Sequence, residues 1–117
     1  MSTAVESFFT AWSEGDATTR DAQVKGALGT GIFYADPRTD APLTDADAVC
    51  EYVGMFSKMA PGMPVSVASM STTLTFVRAT VRFGDGDQGQ LGQYIVDLDD
   101  AGKITRMIGF VGVGDAG

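Results

Sequence analysis

Hydrophobic and polar positions alternate with two different periods along the chain, helical in the first half and strand-like in the second. Val5, Phe8, Phe9 and Trp12 recur at the i, i+3, i+4, i+7 spacing of a helix with one apolar face. Gly15-Asp16 closes that helix, and Asp16 is placed to cap the next. A weaker second helix is expected over Ala17 to Leu28, with Ala17, Val24, Ala27 and Leu28 as its stripe, stopped by Gly29 and Gly31. Ile32-Phe33-Tyr34 reads as a short strand closed by Asp36-Pro37, because a residue before proline is pushed toward extended geometry. Arg38 to Leu43 is a loop, and Thr44-Asp45-Ala46-Asp47 resembles a capping box with Asp in place of Glu. The third helix carries Val49, Tyr52, Val53, Phe56 and Met59 or Ala60 on one face and ends at Pro61-Gly62.

From Met63 onward the period is two. Met63 to Thr72, Leu74 to Phe83, Gln90 to Leu98 and Lys103 to Val113 read as four strands. Gly84-Asp85-Gly86-Asp87 and Asp99-Asp100-Ala101-Gly102 are hairpin turns, and Ser71-Thr72-Thr73 is a third turn. Helices first and hairpin-linked strands afterwards give a single α+β domain over residues 1–117, with helices laid on one face of an antiparallel sheet.

Charge narrows the partners. The net charge is −7, and the eight basic residues are scattered from Arg20 to Arg106, so no clustered surface for phosphates is expected and nucleic acid is excluded as a partner. The same charge disfavours anionic membranes, and no stretch approaches the roughly 20 apolar residues of a membrane span. One cysteine, Cys50, allows no internal disulfide and has no basic neighbour in Ala48-Val49-Cys50-Glu51-Tyr52 to activate it, so it reads as structural. With no signal-peptide pattern, a cytoplasmic location is expected. The chain has no histidine, which, with a single cysteine, argues against zinc, copper and non-haem iron, and no cofactor is expected. Asp85-Gly86-Asp87-Gln88-Gly89 lacks the ligands and terminal Glu of a calcium loop and reads as an acidic turn.

The element order α-α-β-α-β-β-β-β resembles the nuclear transport factor 2-like superfamily, particularly its SnoaL-like and ketosteroid-isomerase-like members. The aromatic first helix ending in Glu14-Gly15-Asp16, the strand end Tyr34-Ala35-Asp36-Pro37 and the helix exit Met59-Ala60-Pro61-Gly62 carry the resemblance. It implies a cone in which a strongly curved antiparallel sheet wraps the helices around a mostly apolar pocket, and pairing of two copies through their sheets as a homodimer. The fold hosts isomerases, dehydratases, cyclases, hydrolases and inert binding modules, so the site must choose the chemistry.

In the ketosteroid-isomerase-like relatives the Asp of a Glu-Asp-Pro sequence is the general base, and Asp36 matches its Asp-Pro part, with Ala35 in place of Glu. A carboxylate at the mouth of an apolar pocket suits proton transfer next to a carbonyl, because desolvation moves carboxylates toward neutrality. Tyr34, two residues earlier, shares a sheet face with Asp36. Alignment of Asp99-Asp100-Ala101-Gly102-Lys103 with the turn before the last strand places Tyr94 where the isomerases carry a protonated acid in the oxyanion hole, with Val96 and Leu98 following on the same face. The first-helix tyrosine of those enzymes falls near Phe8, which has no hydroxyl, and the Asp-His pair of the dehydratase and cyclase members has no counterpart. The expected site is therefore Asp36 and Tyr94 as the catalytic pair, with Trp12, Tyr34, Phe56, Met59, Val96 and Leu98 lining a pocket for a small apolar molecule. Met55, Met63, Met70 and Met107 are candidates for pliable walls or core filling. Arg78 and Arg82 share a strand face that would lie at a dimer surface; Arg106 could join them or reach into the cone.

Overall fold

The computed structural model describes residues 3–84 and 89–112. Asp85 to Gln88 of the acidic turn and Val113, the expected end of the last strand, lie outside the described residues. Eight elements follow in order: α1 (Thr3–Ala11), α2 (Ala17–Ala27), β1 (Leu28–Ala35), α3 (Ala46–Met59), β2 (Val65–Thr73), β3 (Phe76–Phe83), β4 (Gln90–Leu98) and β5 (Ile104–Val111).

The Asp16 cap read from the sequence is in place, whereas α3 is capped by Asp45 rather than by Thr44, the first residue of the capping-box pattern. Asp16 accepts the Thr19 N–H at 2.8 Å and opens α2, and Asp45 accepts the Ala48 N–H at 2.7 Å and opens α3. Each satisfies a donor that the first turn of a helix leaves free.

The five strands form one sheet in the order β1-β5-β4-β3-β2. Three pairings are antiparallel, but β1 lies parallel to β5, so the sheet is mixed rather than antiparallel. The cause is the connection through α3, which carries the chain from the β1 edge to the opposite edge, where β2 begins. The third helix therefore sits between β1 and β2, and only α1 and α2 precede all the strands.

Strand β1 is longer than expected, starting at Leu28, and both glycines read as helix stops belong to it. A Cβ on Gly29 would stand 2.6 Å from the Asp99 carboxylate, and Gly31 turns with φ +73° where the register to β5 shifts. That bulge, with others between Val67 and Ser69 and between Asp97 and Leu98, bends the sheet. Strand β2 begins at Val65, after Pro64, and runs through Ser71-Thr72-Thr73; the turn falls instead on Leu74 and Thr75, with Leu74 exposed at φ 56°.

One face of the sheet packs on the helices. Ile32, Tyr34, Val77, Ala79, Val81, Tyr94, Val96 and Met107 from the strands close against Val5, Phe8 and Phe9 of α1, Trp12 in the turn after it, and Val49 and Val53 of α3. Trp12 stacks among Phe56 at 4.9 Å, Phe83 at 5.7 Å and Tyr52 at 5.9 Å, so aromatic rings fill the centre of the fold. Among the described residues, no helix is long and apolar enough to cross a membrane.

Candidate functional site

Strand alternation turns Ile32 and Tyr34 inward and Phe33 outward at the end of β1. Asp36 is the next inward position, and the chain locks it there. Its Oδ1 accepts the Arg38 N–H at 2.8 Å, while its backbone N–H donates to Thr39 Oγ1 at 3.1 Å. The Asp36 carbonyl takes both the Thr39 N–H and the Thr39 hydroxyl. Leu43 then returns beside β1 and exchanges two backbone hydrogen bonds with Tyr34.

Two phenols converge on the other carboxylate oxygen. Tyr34 from β1 and Tyr52 from α3 each donate to Asp36 Oδ2 at 2.6 Å. Their distances are those of strong, charge-assisted bonds. Tyr94 from β4 completes the group, its ring packed 4.7 Å from that of Phe9. It faces Gly109 across the β4–β5 ladder, where a side chain would collide with both Tyr94 and Asp36.

All three phenols stay protonated at neutral pH. Burial, foremost, pushes the Tyr34 hydroxyl well above its ordinary range, with the neighbouring Tyr94 and the Asp36 charge adding to it. Burial also leads at Tyr52, followed by its hydrogen bond to Asp36. At Tyr94 burial and the Asp36 charge raise the hydroxyl, and the hydrogen bond with Tyr34 works weakly the other way. Tyr34, Tyr52 and Tyr94 are therefore neutral hydrogen-bonding groups around a carboxylate.

The cluster opens into a cleft of about 360 Å³ bounded by Asp36, Arg38, Met63, Phe83, Tyr94 and Phe110. Gly92, under this cleft, keeps its floor low: a Cβ there would meet the Phe110 carbonyl at 3.2 Å. Two other hollows lack a comparable group of converging polar side chains. One of about 420 Å³ lies between α1, α2 and the β4–β5 turn; another of about 720 Å³ lies on the outer face of the sheet.

The expected site residues divide accordingly. Asp36, Tyr34 and Tyr94 come together. Trp12 and Phe56 lie behind the cleft in the aromatic centre, and Val96 is fully buried opposite Met107 in the core. Met59 is 78% exposed in the last turn of α3, away from the cleft. Leu98 shares a face with Tyr94 but lies four residues along the strand, roughly 13 Å away, and borders the hollow beside α2. Of the methionines, Met63 alone borders the cleft, while Met107 is core and Met55 is exposed. Arg106 does not enter the cone: it pairs with Asp97 at 2.6 Å beside Phe33 and Ile95 on the outer face. Tyr52 was read only as part of a helical stripe, and Gly109 and Gly92 carried no signal at all.

No protein-family model matches the sequence, and no curated protein matches it. Solved structures do. A SnoaL-like family protein from Agrobacterium tumefaciens str. C58 superposes with a TM-score of 0.82 at 24% identity, over 95% of this chain and 96% of its own. A protein with ketosteroid isomerase-like fold from Catenulispora acidiphila DSM 44928, in complex with trimethylamine, gives 0.75 at 11% identity over 95% and 86%. An LEH-like epoxide hydrolase from M. tuberculosis gives 0.63 at 18% identity over 95% and 81%. The chain thus has the nuclear transport factor 2-like fold of the SnoaL-like and ketosteroid-isomerase-like proteins.

Proposed function

We propose that the chain binds a small, mostly apolar organic molecule in the cleft at Asp36, with Asp36 and Tyr94 as its polar contacts. The observation that carries this reading is the Asp36 carboxylate, clamped by Tyr34 and Tyr52 at 2.6 Å each and opening onto a cleft with apolar walls. Few precisely held polar groups in a largely apolar recess are the usual make-up of a small-molecule site. The Catenulispora protein of the same fold holds trimethylamine, which supports a small ligand for this architecture.

Proton transfer, of the isomerisation or dehydration kind, is the reaction this arrangement fits. Oδ2 is occupied by two phenols, so Asp36 would accept a proton through Oδ1, which holds one backbone N–H and has a lone pair left. Tyr94 would donate to the oxygen on which charge develops. The ring-filled centre and Phe8 favour a second reading, a non-catalytic homodimeric binding module joined through the outer face of the sheet. Under either reading the chain would work in the cytoplasm without a cofactor.

A thermal-shift screen against small ketones, phenols, lactones and fatty acids tests the pocket. A ligand at ten times its Kd adds about 1.4 kcal/mol, a shift of several degrees for a domain of this size. Asp36→Asn and Tyr94→Phe should each remove most of that shift, and Asp36→Asn should abolish any turnover. A shift untouched by both substitutions would place the ligand elsewhere. Binding without turnover in the unaltered chain would select the non-catalytic module.

A further inference from the structure

Among the described residues, two charged side chains border the cleft, Asp36 and Arg38, and only the first is engaged. The Asp36 carboxylate is held by two phenols and by the Arg38 N–H. Arg38 is tied through its backbone alone. Its guanidinium has neither a carboxylate within ion-pairing distance nor a hydrogen-bond acceptor among the described residues.

The turn after β1 fixes where that cation stands. The Arg38 N–H reaches Asp36 Oδ1 at 2.8 Å, and Thr39 returns its N–H and its hydroxyl to the Asp36 carbonyl. The exposed Arg38 side chain therefore springs from a braced rim of the cleft. Its charge is felt inside: burial, foremost, raises the Tyr52 and Tyr94 hydroxyls, and the Arg38 charge works against that rise at both. Met63, Phe83, Leu91, Phe110 and Val111 supply the apolar lining.

A guanidinium has five N–H donors and no acceptor, set in a planar fork that matches a carboxylate with two parallel hydrogen bonds. The group it meets must therefore accept. Asp36 and Arg38 cancel within the cleft, but the chain as a whole carries −7, so every further negative charge on a ligand adds repulsion. One carboxylate suits this balance better than a dianionic phosphate, and the apolar lining calls for an uncharged body behind it.

We propose that Arg38 is a specificity-determining residue of the cleft that pairs with a carboxylate on the ligand, so that the ligand is a monocarboxylic acid with an apolar body. This rests on the pocket reading above and narrows its ligand class. The body lies against Met63, Phe83 and Phe110, while the carboxylate stays at the mouth.

3-Phenylpropanoate and 3-phenylpropanamide share a body and differ in charge, and they are the probes. Each is titrated into the isotope-labelled full chain and followed through the amides of Gly92 and Gly109. Both should shift these amides, with the acid bound roughly tenfold more tightly than the amide. Arg38→Met keeps the backbone N–H that Asp36 uses; it should lower the acid to the affinity of the amide and leave the amide unchanged. Arg38→Lys should retain part of the preference, because an ammonium keeps the charge without the fork. Equal binding of the two probes by the unaltered chain would overturn the carboxylate assignment and leave the pocket standing. A preference for the acid that survives Arg38→Met would place the anion elsewhere, and an equal loss for both probes would reduce Arg38 to a wall of the cleft. Amides that stay fixed with both probes at saturating concentration would overturn the pocket reading, and the assignment would fall with it.

Discussion

A methyl group placed on Gly109 would stand 2.6 Å from Tyr94 Cε2 and 3.0 Å from Asp36 Cβ. Neither neighbour can yield easily, because the Tyr94 ring is pinned against Phe9 and Asp36 is held by two phenols and its own turn. Gly109→Ala should therefore destabilise the fold by about 1–3 kcal/mol, the usual range for overpacking, and weaken ligand binding. Gly26, where an added Cβ meets nothing within 4 Å, is the comparison: in α2 an alanine should stabilise by about 0.5–1 kcal/mol. Urea denaturation of the two variants checks both, and a harmless Gly109→Ala would mean that Tyr94 and Asp36 are not tightly juxtaposed. At this scale the sequence was partly legible. Asp36 and Tyr34 were visible, since alternation along one strand and an Asp-Pro pair are local patterns. Tyr52 was hidden because periodicity counts a helical tyrosine as apolar and cannot say where its hydroxyl ends. Gly109 was hidden because the ring it admits belongs to another strand, fifteen residues away in sequence.

Among elements, the helices could be read in advance because their caps and stripes are written in neighbouring residues, as at Asp16, although the α3 cap falls on Asp45, one residue after Thr44. Strand partners could not, for pairing depends on where distant segments meet; the parallel contact of β1 with β5 leaves no mark in either strand alone. The ends of elements were also hard to foresee, which is why Met59 and Leu98, extrapolated along correct faces, lie away from the cleft. The two faces of the sheet differ in a way that bears on assembly. On the outer face Phe33, Ile95 and Phe110 are exposed around the Arg106–Asp97 pair, and Arg78 is exposed on β3. A second copy covering this apolar area is the proposed partner, because contiguous exposed apolar patches on soluble domains mark contact surfaces. Ile95→Lys puts a charge in its middle. It should convert a dimer to a monomer in sedimentation velocity while leaving the melting profile cooperative, and a parent chain that sediments as a monomer would refute the pairing.

For the molecule as a whole, the three phenols, Tyr34 and Tyr94 buried and Tyr52 half-buried, make stability fall in alkali. Their ordinary value is 10.0, and the fold holds all three above it. Below pH 10 both folded and unfolded chains keep these protons, and the stability from the cluster is constant. Above pH 10 the unfolded chain releases protons that the folded chain retains, so stability falls with rising pH. The limiting slope is about 1.4 kcal/mol per pH unit for each phenol held neutral. Urea midpoints measured on either side of pH 10 should show the decline, and Tyr94→Phe should make it shallower; a midpoint indifferent to alkali would mean the hydroxyls are not buried together. The pairing of β1 with β5 has a further consequence, in time rather than in space. No hairpin can bring these strands together, since α3 and three other strands intervene, and closing so long a loop carries an entropic cost that local contacts do not. During synthesis Asp36, Tyr34 and Tyr52 are made early, but the wall formed by Tyr94, Gly109 and Phe110 does not yet exist. The cleft is complete only where β5 lies between β1 and β4, setting Gly109 and Phe110 beside Tyr94 and Asp36, so a chain lacking that strand has no binding site.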